Sequence, residues 1–208
     1  MKSFGVTGGI GAGKSAVCSM LADLGAEIFD ADREARDLME TDTSLVHGIR
    51  ELFGSEAYRP DGSLDRAFVS SRVFGDTPQA AKCRRALEEI VHPAVAQRFR
   101  EVGRQAERRG VSALVREQAL LPAPGSDASR LPWVVVEAPA GARLERTLAR
   151  GGLTREEARA RMDAQPPDAS YRAVADYIIV NDGDLDALRK KVHDLWILIL
   201  SENGRFQG

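Results

Sequence analysis

The sequence predicts an α/β fold in which a parallel five-stranded sheet is covered by helices on both faces. Two observations carry this. Short branched or aromatic runs alternate with helical stretches, and a glycine-rich loop stands between the first run and the first helical stretch. The runs are Ser3 to Thr7, Ala26 to Asp30, Ser112 to Glu117, Trp133 to Ala138 and Tyr177 to Asn181. They read as parallel neighbours because the helical stretches between them serve as the crossover connections that parallel strands need. About eighty residues separate the second run from the third, far beyond a minimal crossover, so an inserted helical subdomain is expected there. Within it, Leu64 to Phe74 and the alanine- and charge-rich Ala80 to Glu107 read as helices. A second, smaller insertion reads as a helical lid, with Thr154 as N-cap, Glu156 and Glu157 in the first turn and Pro166-Pro167 as the stop. The expected organisation is one domain: a core over about 1–32, 107–149 and 170–208, a helical insertion over about 33–106 and a lid over about 150–169. Pro122 to Pro132, with its Gly, Ser and Asp, reads as a surface loop.

At 208 residues, 43% of them apolar and 29% charged, the chain has the composition of a globular domain with a core of its own. Its formal net charge of −2 argues against a nucleic-acid partner, which calls for a basic excess. An anionic ligand must be met by local charge. Cys18 and Cys83 are the only cysteines, too few for a disulfide framework or a zinc site, and they suit a reducing cytosol. Because the opening residues run straight into a functional motif, no signal peptide is expected and the predicted location is cytoplasmic. The longest apolar run, Leu195 to Leu200, falls far short of the roughly 20 residues of a membrane span. It reads as the buried side of a C-terminal helix.

The loop Gly8-Gly9-Ile10-Gly11-Ala12-Gly13-Lys14-Ser15 matches G-x-x-x-x-G-K-[ST], follows the first strand and precedes a helical stretch over Val17 to Leu24. Polyphosphate has to be wrapped by backbone N–H groups, which glycines allow to approach closely, at a helix N-terminus whose dipole favours anions. Lys14 is expected to reach the β- and γ-phosphates and Ser15 to place its hydroxyl on magnesium. The competing reading, a glycine-rich turn that binds nothing, is weakened by the strand and helix on either side. The fold expected is therefore the three-layer fold of P-loop nucleoside-triphosphate hydrolases.

A GTPase would carry an Asn-Lys-x-Asp element late in the chain, and Asn181-Asp182-Gly183-Asp184 lacks the lysine. A small kinase needs a carboxylate near the γ-phosphate and arginines on a closing lid. Asp30-Ala31-Asp32 ends the second strand, where ligands bind in open α/β sheets. Alternation along an extended segment would put both carboxylates on one side, one for the magnesium waters and one for the acceptor's proton. A helix N-cap is the competing role for Asp32. Arg143, Arg146, Arg150, Arg155, Arg159 and Arg161 cluster around the lid. Guanidinium suits the charge of a transferring phosphoryl group, although most arginines in such a run are solvated.

With these residues in view, the chain closely resembles the dephospho-coenzyme A kinases, which phosphorylate the ribose 3′-hydroxyl of dephospho-coenzyme A with ATP. Thr7 to Ser15, Leu24-Gly25 and Asp30-Ala31-Asp32 look like that family's opening. Asp61 to Arg66 leading to Val73-Phe74 resembles its helical acceptor-side segment, and His92-Pro93 its His-Pro pair. Glu137-Ala138-Pro139 with Arg146 and Arg150, then Thr154 to Arg161, Gln165, Ala175-Asp176 and Asn181-Asp182-Gly183, complete the series. One departure stands out. The family's third strand usually reads Asp-Val-Pro-Leu-Leu-Phe-Glu, or close to it, and here it is Glu117-Gln118-Ala119-Leu120-Leu121-Pro122-Ala123. Ala16 also replaces a frequent threonine.

The resemblance implies that Asp32 is the base, acting with Lys14 and Arg150. Gly11, Ala12, Gly13, Lys14, Ser15 and Ala16 hold ATP, with Arg146 and Asn181 as further contacts. Asp30, Arg66, His92, Leu120 and Leu121 are the expected acceptor contacts, and Ser15 the magnesium ligand. For His92, packing within a helix is the competing role. The expected partners are ATP and dephospho-coenzyme A, with no nucleic acid and no membrane, the protein being a monomer or weak homo-oligomer. The alternatives are a P-loop kinase for another nucleotide or nucleoside and a non-catalytic ATP-binding regulator.

Overall fold

The structure, a computed structural model, describes residues 1–201. Of the core segment predicted over 170–208, residues 202–208 lie outside the described residues. The chain divides into two compact units, Met1–Asp30 with the chain from Val102 onward, and Ala31–Glu101.

In the first unit five strands, counted among the described residues, form one parallel sheet: β1 (Lys2–Thr7), β2 (Ala26–Asp30), β3 (Ala113–Glu117), β4 (Trp133–Glu137) and β5 (Tyr177–Val180). Their order is β2-β3-β1-β4-β5. Up to β3 the connections stay on one side of β1, and from β4 they lie on the other, so the reversal falls at β1. Ligands of such sheets bind at this point, beyond the carboxyl ends of the strands. Each predicted strand forms within one residue of its expected bounds.

Alternate residues of the strands bury opposite faces. Phe4, Val6, Ala113, Val115, Val134, Val136 and Ile179 share a core with Val17 and Leu21 of α1 (Lys14–Asp23) and with Leu188, Val192, Leu195, Trp196 and Ile199 of α9 (Leu185–Ser201). The run Leu195 to Leu200 is thus helical, but it is not all one buried side. Six consecutive helical residues sweep past a full turn, so Leu195, Trp196 and Ile199 are buried while Ile197, Leu198 and Leu200 are exposed. On the other face Leu114 meets the C-terminal part of α5 (Pro78–Arg108) at Gly103. There the Trp133 indole crosses Gly5, its register partner in β1, and donates to the Ala128 carbonyl at 2.9 Å. Ala128 belongs to a short 3-10 turn, Asp127–Arg130, within the predicted surface loop.

The helices α6 (Ala140–Ala149), α7 (Arg155–Asp163) and α8 (Asp168–Val174) connect β4 to β5. As expected, α7 starts at Thr154: the Thr154 hydroxyl accepts from Glu157 N while Glu157 accepts from Thr154 N at 2.8 Å, a reciprocal capping box. Those hydrogen bonds hold the Glu157 carboxyl below its ordinary range.

The second unit contains α2 (Ala31–Thr41), α3 (Thr43–Phe53), α4 (Arg66–Val73) and the N-terminal part of α5. Its own core gathers Ile49, Ala57, Tyr58, Leu64, Val69 and Val73. Asp42 caps α3 and Asp65 caps α4 through backbone N–H groups. The phenol of Tyr58, pushed up from its ordinary pKa by burial, donates to the Met39 carbonyl at 2.7 Å.

A methyl group at Gly5 would overlap the Trp133 ring. We therefore expect Gly5→Ala to destabilise the protein by about 1–3 kcal/mol, the range for overpacked cores. Denaturant unfolding measures it, and an unchanged midpoint would show that the indole yields without strain.

Candidate active site

The loop Gly8 to Gly13 leaves β1 and enters α1 with Gly13 as N-cap in the left-handed region, φ 106°. That conformation favours glycine. Space excludes a side chain there as well, because a Cβ on Gly13 would meet the Asn181 amide and one on Gly8 the Val136 carbonyl oxygen. Helix geometry gives the first-turn amides of α1 no carbonyl of their own helix, which leaves that end suited to an anion.

The carbonyls of the loop are engaged within the protein. Lys14 Nζ donates to Gly8 O at 2.8 Å and to Gly9 O at 3.4 Å. Ala12 N donates to Gly9 O at 3.1 Å, closing a turn, so Ala12 contributes to the shape of the loop. Arg143 Nε donates to Ile10 O at 3.0 Å, and Asn181 Nδ2 donates to Ala12 O at 2.8 Å. Asn181 is buried, and Arg146 Nη2 reaches both its main-chain and side-chain oxygens at 3.3 Å. The predicted ATP contacts Arg146 and Asn181 thus touch each other behind the loop. Arg150, one turn further on, caps the C-terminus of α6 and is exposed.

Two residues absent from the predicted site complete the back of the loop. The Arg143 guanidinium also donates to Asp168 Oδ1 at 3.0 Å and to Gln165 Oε1 at 3.3 Å, and Gln165 Oε1 accepts from Ile10 N at 2.7 Å. A void lined by Gly9, Ala12, Val136, Arg143 and Tyr171 has a volume of about 10 Å³, room for one water at most. The sequence does not single out Arg143 among the six arginines that crowd that region, and although Gln165 is part of the family resemblance, its contact with Ile10 spans 155 positions.

On the other side of the loop lies an acid that the sequence reading left out of the site. Glu117 ends β3, and Ser15 Oγ donates to its Oε1 at 3.3 Å. Asp30 is the register partner of Glu117. The signal available in sequence was its place as the last residue of a strand, the same place that singled out Asp30. Hard oxygen donors such as the Ser15 hydroxyl and the Glu117 and Asp30 carboxylates suit magnesium, which is held largely by phosphate and water and takes few protein ligands. Burial above all, and then the Glu117 carboxylate, push the Cys18 thiol well up from its ordinary value.

The third strand ends at Glu117, and Gln118 fastens the chain as it leaves. Its amide oxygen accepts from Arg116 Nε at 2.8 Å and its amide nitrogen donates to Leu120 O at 2.7 Å. Leu120 is 66% exposed, and Leu121 is half-buried.

Asp32, Arg66 and His92 belong to the second unit. The expectation that Asp32 continues an extended segment is corrected: α2 begins at Ala31, directly after β2, so Asp32 stands exposed in the first helical turn and strand alternation does not set its direction. Arg66 opens α4, exposed and 3.4 Å from Glu40. His92 is exposed on α5, which continues through Pro93, and packing there falls to Val91 and Val95.

The family model for dephospho-CoA kinase matches residues 3–187. A dephospho-CoA kinase of Chlorobaculum tepidum is 41% identical over 201 residues, covering 95% of this chain and 94% of its own. Among solved structures, one from Thermus thermophilus superposes with a TM-score of 0.75 at 31% identity, over 95% of this chain and 97% of the other. The dephospho-CoA kinase of Campylobacter jejuni does so with a TM-score of 0.67 at 23% identity, over 95% and 96%, a likeness of fold.

Because the Cys18 thiol is buried against Glu117 and held protonated, alkylation of the native protein at pH 8 should label the half-buried Cys83 first. Intact mass should show a second label only after denaturation. Equal rates at the two thiols would mean that Glu117 and Cys18 are not packed as described.

Proposed function

We propose, since the chain belongs to the dephospho-CoA kinase family, that its loop and lid residues transfer the γ-phosphoryl group of ATP to the ribose 3′-hydroxyl of dephospho-coenzyme A. The observation that carries the assignment of roles is the loop whose carbonyls are tied inward by Lys14, Arg143 and Asn181. Each trans peptide points its C=O opposite to the next N–H. Holding the carbonyls of Ile10 and Ala12 from behind therefore turns the N–H groups of Gly11 and Gly13 toward the phosphate side. The loop from Gly11 to Ala16 would cradle the polyphosphate, with Arg146 and Asn181 as further contacts of the nucleotide.

The reaction is in-line displacement: the acceptor oxygen forms a bond to the γ-phosphorus, the bond to the ADP oxygen breaks, and the hydroxyl proton leaves to a carboxylate. In a loose transition state the hydroxyl needs little deprotonation before transfer, so orienting it and receiving its proton late suffices. We assign that role to Asp32, two residues beyond Asp30. Lys14 and Arg150 would carry the charge that gathers on the transferring group and on ADP. Magnesium would neutralise the same phosphates, with Ser15 and Glu117 the residues suited to hold it. Asp30, Arg66, His92, Leu120 and Leu121 are the proposed acceptor contacts.

Among the described residues no helix is long and apolar enough to cross a membrane. The reading has the protein working in the cytoplasm on small molecules, without nucleic acid, as a monomer or weak homo-oligomer.

Purified protein with MgATP and dephospho-coenzyme A should form coenzyme A, seen by mass spectrometry, in preference to phosphorylating adenosine or nucleoside monophosphates. ATP binding without any coenzyme A would overturn the reading. Lys14→Ala should lower kcat/KM by about a hundredfold or more. For Asp32→Asn we expect kcat to fall by about 10² to 10⁴ with the ATP dissociation constant unchanged in calorimetry. Full turnover by that variant would remove Asp32 from the chemistry.

A further inference from the structure

Among the loop glycines, Gly8, Gly11 and Gly13 have positive φ, and Gly9 does not. The motif does not ask for glycine at Gly9 either. Its reason is steric: a Cβ there would run into the guanidinium of Arg143. The same arginine covers Gly11 with its main-chain carbonyl, which Thr147 Oγ1 fixes by donating to it at 2.7 Å. Arg143 is only 8% exposed, and a buried guanidinium is tolerated where its donors are matched. Here they are matched by Ile10 O, Gln165 Oε1 and Asp168 Oδ1.

Both main-chain hydrogen-bonding groups of Ile10 are held by this arrangement, the N–H by Gln165 and the C=O by Arg143. Gln165 is followed by Pro166-Pro167, which bring the chain from α7 into α8. Two consecutive prolines have fixed φ and no N–H, so this return is stiff. The ion pair with Asp168 adds little, since that carboxylate is 67% exposed and solvent screens it. The strength of the clamp lies in Ile10 and Gln165.

We propose that Arg143 and Gln165 are positioning residues that set the phosphate loop before nucleotide binds and tie the return of α7 to it. Neither touches the reacting atoms. Their effect is to remove the ordering of the loop from the free energy of ATP binding, as preorganisation does. The proposal rests on the kinase reading only in taking the bound anion to be the polyphosphate of ATP.

The test compares Arg143→Leu, Gln165→Leu, the double variant and Gln165→Glu, reading the ATP dissociation constant by calorimetry, KM for each substrate, and Tm without ATP. Each leucine variant should weaken ATP about tenfold, equivalent to about 1.4 kcal/mol, and leave KM for dephospho-coenzyme A within about twofold. The double variant should be no weaker than the worse single one, because both side chains act on Ile10 and hydrogen-bond each other. Gln165→Glu should recover most of the affinity, since its carboxylate still accepts from Ile10 N and Arg143. Wild-type ATP affinity in the single variants, fully additive losses, or equal loss for both substrates would overturn the proposal. If Arg143→Leu does not fold, the Gln165→Leu and Gln165→Glu pair decides it. Wild-type protein that binds ATP but makes no coenzyme A would sink the kinase reading and leave these affinities interpretable.

Discussion

A backbone amide can bind a phosphate only if nothing in the protein binds it first, so a loop of such amides must be held in shape by its other atoms. In this loop the carbonyls do most of the holding, with Ile10 N taken up by Gln165. Those of Gly8, Gly9, Ile10 and Ala12 accept from Lys14, Ala12 N, Arg143 and Asn181. Ala12 N belongs to the loop and Lys14 follows it directly, while Arg143 of α6 and Asn181 after β5 come from two distant parts of the sequence to converge on six residues of loop. Glycine is required where these donors press closest, at Gly9 against Arg143 and at Gly13 against Asn181.

The sheet supplies the other half of the arrangement. Asp30, Glu117 and Glu137 end three strands on the side where the loop emerges, which would crowd negative charge where an anion is to bind. The structure separates their roles. Glu137 is neutralised by the fork of Arg172, with both hydrogen bonds at 2.7 Å. Glu117 stays on the Ser15 side, where a divalent cation bound with phosphate has use for a carboxylate. On the proposed reading a chain of formal charge −2 would meet polyphosphate with amides, Lys14, Arg146 and Arg150, as local placement of charge allows.

How far the sequence could be read follows from the range of the forces involved. Strands and the capped start of α7 were legible because they depend on residues a few positions apart, the branched runs and the pair Thr154 and Glu157. The loop was legible because strand, glycines, lysine and helix are contiguous. Asp32 was misplaced in conformation because Asp30-Ala31-Asp32 carries no break between strand and helix, and only the structure shows α2 starting at Ala31. Arg143 was named among six lid arginines, but what distinguishes it, burial against Ile10, is 133 positions away. Glu117 was read as part of a departure in the third strand, and its nearness to Ser15 spans 102 positions.

That departure has a physical resolution. The resembled pattern has a proline, a residue of fixed φ, two residues past the acid. Here Ala119 takes that place, and the exit of the strand is held by the side chain of Gln118. Its backbone N–H continues the ladder to Val6 O, while its amide spans from Arg116 to the Leu120 carbonyl. Both amide groups are thereby satisfied inside the protein, which a buried polar side chain requires. The glutamine is 7% exposed and the arginine 8%, so replacing either with an apolar residue would leave a buried partner unmatched. Side-chain hydrogen bonds thus hold this strand end, and Leu120 is turned outward past the carboxyl end of β3, where the proposed acceptor contact needs it.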